Sequence, residues 1–174
     1  MRLVFVGVIM IINLSNRLQA IADFIPEGAC VADIGTDHGY LPIYLAQTSR
    51  AGCIIASDIS AGSLNAARRS VKKYDLTGKI ELICAPGLDG IDEGAVDTIV
   101  IAGVGGETIV GILQGAPWVN SGKTLILQPQ TKLGVLLNYI AENKLKIMGA
   151  KVTKDKRKDY IIIVCKGGQL SPQG

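Results

Sequence analysis

The 174-residue sequence is short of several things at once. It has one histidine, and its four cysteines (Cys30, Cys53, Cys84 and Cys165) form no CxxC pair. That argues against a Cys/His zinc module, so no metal is expected. Each cysteine lies in or beside an apolar run, which predicts small buried hydrophobes with reduced thiols in a cytoplasmic protein. Charged residues make up only 19% against 48% hydrophobic, which excludes a disordered chain. The apolar run at residues 3–12 is too short to span a bilayer and lacks a following small-residue cleavage site, so no membrane is expected. It reads as an extra N-terminal segment, 1–13, ahead of a single domain at 14–168 and a tail at 169–174. Repeats, linkers and low-complexity stretches are absent as well.

Aromatics are scarce at 5%, whereas glycine is plentiful at 21 residues. Gly, Ile, Val and Ala with few aromatics suit a parallel sheet, whose doubly buried strands favour β-branched residues and whose strand-to-helix turns favour glycine. The net charge of +3 permits nucleic-acid binding without requiring it. The positive charge is uneven: Lys144, Lys146, Lys151, Lys154, Lys156, Arg157 and Lys158 crowd into the last third.

Periodicity alternates along the chain. A helix capped by Ser15 buries Leu14, Leu18, Ile21, Ala22 and Ile25. Strands are predicted at 29–34, 53–57, 79–84, 96–102 and 124–128, with helices at 40–47, 60–74, 107–113 and 133–143. Two final strands, 146–154 and 160–165, flank a charged turn. Alternation implies an α/β fold with a mostly parallel, Rossmann-like sheet. A short terminal turn forces an antiparallel hairpin, because a parallel return needs a crossover. Seven strands ending in such a hairpin are the layout of the class I methyltransferases that use S-adenosylmethionine.

In such sheets ligands sit beyond the carboxyl ends of the strands. After strand one comes Asp33-Ile34-Gly35-Thr36-Asp37-His38-Gly39-Tyr40, a glycine turn that is acidic and lacks the GxGxxG dinucleotide pattern. Pyrophosphate favours a helix N-terminus. S-adenosylmethionine carries an ammonium and a sulfonium instead, which an acidic loop suits, so Asp33 and Gly35 are expected to bind it. Asp58 after strand two can accept from ribose hydroxyls. Gly87 and Leu88 after strand three, with Ala102 and Gly103 after strand four, complete the expected cofactor set. Pro86 stands where a polar residue would read adenine, leaving that task to backbone groups or Asp89. Val104, Gly105 and Gly106 leave room for a flat substrate, and Gln128 offers an amide at the same rim. Tight turning into a helix explains those glycines equally well. Three readings stay open on these residues: a macromolecule methyltransferase, a small-molecule methyltransferase, and a cofactor-binding module without activity.

LSNRLQAIADFIPEG, ADIGTDHGYLP, DTIVIAGVGGETI and LILQPQT together resemble the bacterial TrmK family, from Leu14 to about Cys165. The resemblance implies S-adenosyl-L-methionine as donor and N1 of an adenine in tRNA, at position 22, as acceptor. Its motif positions map onto Asp33, Gly35, Asp37, His38, Tyr40, Asp58, Gly103, Gly105, Gly106 and Gln128. For such an acceptor, Asp37, His38 and Tyr40 are expected in catalytic roles, and Arg17, Val104, Gly105, Gly106 and Gln128 in substrate binding. Asp37 would stabilise charge on the methylated base, His38 and Tyr40 would position or stack it, and Arg17 and residues 154–158 would contact phosphates. Pro86 and the N-terminal run depart from the family pattern. Family members also continue into a C-terminal helical domain that helps hold tRNA, so a chain ending near Gly174 is expected to lack it.

Overall fold

Ser15 and Ser60 start their helices as their positions predict. Each hydroxyl accepts from a backbone N–H three residues on, Leu18 N at 3.4 Å and Ser63 N at 3.2 Å. The computed structural model describes residues 10–168, so most of the apolar run and the tail lie outside the described residues. Five helices result: α1 (Asn16–Phe24), α2 (Tyr40–Gln47), α3 (Ala61–Lys73), α4 (Gly106–Gly115) and α5 (Leu133–Glu142). Seven strands alternate with them: β1 (Ala29–Ile34), β2 (Ala51–Asp58), β3 (Glu81–Cys84), β4 (Thr98–Val104), β5 (Thr124–Pro129), β6 (Lys146–Asp155) and β7 (Lys158–Lys166).

The strands form one sheet in the order β3-β2-β1-β4-β5-β7-β6. Strands β1 to β5 pair in parallel, and β7 pairs antiparallel to both β5 and β6. Successive strand side chains point to opposite faces, so each β-branched run feeds two cores. Ile99, Ile101, Leu125 and Leu127 pack on one face against Ile109 and Leu113 of α4 and Leu136 and Ile140 of α5. Val31, Val100, Ile126 and Ile162 pack on the other against Ile21 and Ile25 around α1, Ile43 and Leu45 of α2, and Val71 of α3. Each such side chain contributes about 1.5–3 kcal/mol by leaving water. The chain order reverses between β1 and β4, and the crevice that opens there at the carboxyl ends is the general ligand position in doubly wound sheets.

The cysteines differ from expectation. Only Cys165 is buried, and Cys84 is exposed. Cys30 and Cys53 are joined as a disulfide rather than reduced. They are register partners on adjacent parallel strands, with Cα atoms 4.5 Å apart. A separation of 23 residues gives no local hint of that neighbourhood. No helix among the described residues is long and apolar enough to cross a membrane.

Candidate active site

The turn after β1 is fastened to the end of β2. Gly35 and Thr36 donate their N–H groups to the Ser57 carbonyl at 2.8 and 3.0 Å. Gly35 has φ +74°, a conformation that favours glycine, and it turns the chain sharply off the strand. Asp37 also takes positive φ, at +55°, and donates its N–H to Asp58 Oδ2 at 3.0 Å. Asp58 Oδ1 accepts from Ser60 N at 2.8 Å. One nearly buried carboxylate thus binds two loops together.

Asp33 lies beneath this turn, buried, and accepts from Thr36 Oγ1 at 2.8 Å. Burial pushes its carboxyl up to about 6, against the opposing pull of the Thr36 hydrogen bond and the Arg17 guanidinium. Above the turn, His38 and Tyr40 stack with ring centroids 5.5 Å apart and planes at 18°. His38 Nε2 stands 3.8 Å from Asp37 Oδ2, and both side chains are exposed. The three residues expected in catalytic roles therefore share one rim.

The opposite wall comes from β4 and β5. Gln128 is fully buried; its Oε1 accepts from Gly103 N at 3.1 Å and from Arg17 Nη1 at 2.9 Å. Its Nε2 donates to the Pro129 carbonyl at 3.1 Å and to Gln130 Oε1 at 3.3 Å. With its amide so engaged, Gln128 acts on the rim through Arg17 and Gly103. Arg17 reaches this point from α1, and its guanidinium also lies 5.8 Å from the centre of the Tyr160 ring. Two further bonds tie α1 to the closing hairpin: Arg17 N donates to Asp155 Oδ2 at 3.3 Å, and Asn16 Nδ2 donates to the Lys154 carbonyl at 3.0 Å.

Two adjoining clefts occupy the crevice and share Arg17, Gly35, Asp37 and Ala102 as walls. The first, of ≈ 360 Å³, adds Asp33, His38 and Tyr40. The second, of ≈ 500 Å³, adds Asp58, Gly87, Gly103 and Val104. The sequence reading missed Ile59, Thr108 and Ile112, which also line the second. Ile59 directly follows Asp58 in the chain, but its exposure beside that carboxylate shows only in the fold. Nothing local marked Thr108 and Ile112, which arrive from α4. Leu88 packs into the core, and neither it nor Asp89 lines either cleft. Gly105 and Gly106 lie behind the wall. Gly106 N donates to the Thr131 carbonyl at 2.8 Å, and a Cβ there would collide with the Lys132 carbonyl. This pair serves the packing of α4 on the 131–132 turn. No group of three or more metal-ligating side chains occurs among the described residues.

An acidic glycine turn facing a buried-amide wall, on a sheet closed by an antiparallel hairpin, has counterparts in known proteins. Residues 14–163 match a family model described as a methyltransferase domain. Over 158 residues the chain is 35% identical to the tRNA (adenine(22)-N(1))-methyltransferase of Bacillus subtilis, covering 90% of this chain and 66% of the relative. The chain belongs to the TrmK family of methyltransferases. The solved B. subtilis TrmK superposes with a TM-score of 0.85 at 35% identity, over 90% of this chain and 68% of that one. The solved M. capricolum TrmK, in complex with S-adenosyl-homocysteine, superposes with a TM-score of 0.80 at 29% identity, over 92% and 73%. The chain thus spans about two thirds of the curated B. subtilis member of the TrmK family.

Proposed function

We propose that this chain transfers a methyl group from S-adenosyl-L-methionine to N1 of an adenine in tRNA. The observation that carries the reading is the pair of adjoining clefts at the switch point, joined through Gly35 and Asp37. One offers a polar wall for the donor's tail and the acceptor base, the other a carboxylate and apolar walls for an adenosine. Membership of the TrmK family supports both the donor and the acceptor.

The residues present fit the donor. Asp58 lines the larger cleft where ribose hydroxyls would donate to it. Ile59, Pro86 and Ile112 supply apolar surface on which a purine would rest without a polar residue at Pro86. Asp33 and Asp37 supply negative charge beside Gly35 for a cationic tail. When bound, S-adenosylmethionine supplies an electrophilic methyl group on its sulfonium.

The protein's own part is positioning and electrostatics. N1 of adenine has a lone pair and no proton, so no base is needed to activate it. It lies on the Watson–Crick edge, so the nucleotide must be unpaired or flipped out to reach the cleft. The stacked His38–Tyr40 pair presents an aromatic platform at the rim, and stacking on such a platform contributes about 1–3 kcal/mol per base. Positive charge develops on the methylated ring, and the exposed Asp37 carboxylate beside that platform stabilises it. Val104 flanks the opposite side of the cleft. The exposed residues Lys154, Lys156, Arg157 and Lys158 at the hairpin tip contact tRNA phosphates. A cytoplasmic location accords with a tRNA substrate. The test is methylation of unmodified bacterial tRNA with labelled donor, followed by mapping of the modified base. Label at N1 of one adenine is expected; label on small metabolites alone, with none on tRNA, would refute the acceptor.

A further inference from the structure

Cys30 and Cys53 sit near the amino ends of β1 and β2, across the sheet from the crevice that holds the two clefts. They meet because of one extra residue. Ala29 pairs with Ala51, so Gly52 would fall opposite Cys30; the register slips there and brings Cys53 opposite instead. Such a bulge leaves the extra residue unpaired. Gly52 has to be glycine, because an added Cβ would lie 2.6 Å from the Gly28 carbonyl oxygen. The two cysteines then stand with Cα atoms 4.5 Å apart and are joined. Beside them opens a cleft of ≈ 630 Å³, lined by Cys53, Lys79, Glu81 and Ala95 but not by Cys30. Cys53 Sγ stands 3.6 Å from the Ala95 carbonyl, which would accept from this sulfur as a thiol. One sulfur of the bond is therefore open to solution and has a partner ready for its reduced state.

We infer that Cys30–Cys53 is a thiol–disulfide exchange site, entered at Cys53 by a small-molecule thiol through this cleft. The incoming thiolate attacks Cys53 Sγ and bonds to it. The Cys53–Cys30 bond breaks, and its electron pair leaves on Cys30, which takes a proton from water. A second small thiol displaces Cys53 from the mixed disulfide. Two small thiols thus become one small disulfide, and the protein gains two electrons and two protons. A small disulfide drives the same steps backwards and closes the bond. Lys79 and Glu81 put one charge of each sign in the cleft, so it admits neutral and anionic thiols. The other two cysteines take no part. Cys165 is buried, and burial pushes its thiol up to about 12. Cys84 is exposed but pairs with Asp58 at the far end of β2, about 16 Å along the strand from Cys53 and beyond bridging distance. Closed, the bond staples the two strands whose far ends carry the Gly35 turn and Asp58, so its redox state sets the stability of the fold.

Glutathione, reduced and oxidised, is the probe, applied to the full chain, with free thiols blocked and then located by peptide mass spectrometry. Reduced glutathione is expected to open the bond in the folded protein, at a rate proportional to its concentration and unchanged by urea below the unfolding transition. Oxidised glutathione should close it again. The closed form should melt about 5–15 °C above the open one, the effect of a disulfide across 23 residues on a domain of this size. In Cys30→Ser, oxidised glutathione should cap Cys53 at least about tenfold faster than it caps Cys30 in Cys53→Ser, because only Cys53 opens on the cleft. The wild-type measurements decide the matter even where a variant fails to fold. Opening that speeds up with urea overturns the site, because the sulfur is then reached only through unfolding. So do two thiols that oxidised glutathione never joins, and equal capping of Cys30 and Cys53 removes the cleft as the entrance.

Discussion

Asp58 has two jobs, and Asp58→Ala separates them. Its oxygens hold Asp37 N at 3.0 Å and Ser60 N at 2.8 Å, bonds that tie the β1 turn to the start of α3. Hydrogen bonds to a charged acceptor contribute about 1.5–3 kcal/mol each. Asp58 is 9% exposed, so solvent screens these bonds little. Ser60 N, on the more open side, regains a water partner on truncation. Asp37 N loses its partner while its backbone stays at φ +55°. The net destabilisation is therefore about 2–4 kcal/mol. At about 2–4 °C per kcal/mol for a domain of this size, Tm falls by roughly 5–15 °C. Asp58→Asn keeps one oxygen for one of the two donors and should lose about half as much. Differential scanning calorimetry of the three proteins, each with and without S-adenosylhomocysteine, reads both jobs. If Tm of Asp58→Ala stays within about 2 °C of wild type, the carboxylate is no clamp and serves the ligand alone.

Three further outcomes follow from the geometry. Asp33 is raised by burial to about 6 in the fold, above the ordinary value of 3.8, so its stabilising contribution is complete below about pH 4 and is lost as pH rises through 6. Asp33→Asn should flatten that part of the stability curve in calorimetry, while wild-type affinity for S-adenosylhomocysteine should rise through pH 6 as the carboxylate ionises to meet the ammonium; an affinity flat from pH 5 to about 7.5 would sink the contact. Gly106→Ala sets a methyl against the Lys132 carbonyl and should destabilise by about 1–3 kcal/mol, read by urea unfolding; an unchanged midpoint would contradict the packing role. Replacing Lys156, Arg157 and Lys158 together by alanine should reduce the slope of log tRNA affinity against log salt by about 2 with Tm unchanged, and an unaltered slope would remove the hairpin from the interface.

Much of this site was legible in the chain because its chemistry lies immediately after strands. Asp33, Gly35, Asp37 and Asp58 could be placed from the positions where apolar runs end, and Ser15 and Ser60 announced their helices. The hairpin followed from a turn too short for a crossover. Spatial convergence was harder to read. Thr108 and Ile112 reach the cleft only because α4 packs across the end of the sheet. Gln128 reads as a rim amide until the β4–β5 pairing shows it enclosed at 0% exposure. Gly105 and Gly106 carry a packing constraint from a turn 25 residues away, which a local glycine pattern cannot separate from a substrate role. Cys30 and Cys53 become neighbours only through parallel register.

The bonds from α1 to the closing hairpin bear on how the site comes into being. Asn16 and Arg17 meet Lys154 and Asp155 across 138 residues, and Arg17 meets Gln128 across 111. Loop-closure entropy delays such distant pairings until most of the sheet exists. During synthesis at about 5–20 residues per second, the β1 turn is made several seconds before the strands that hold Arg17 over it. A nascent chain would thus acquire its acidic half first and its cationic half last. The two-walled crevice should therefore form as a late step, timed by the emergence of β5 to β7.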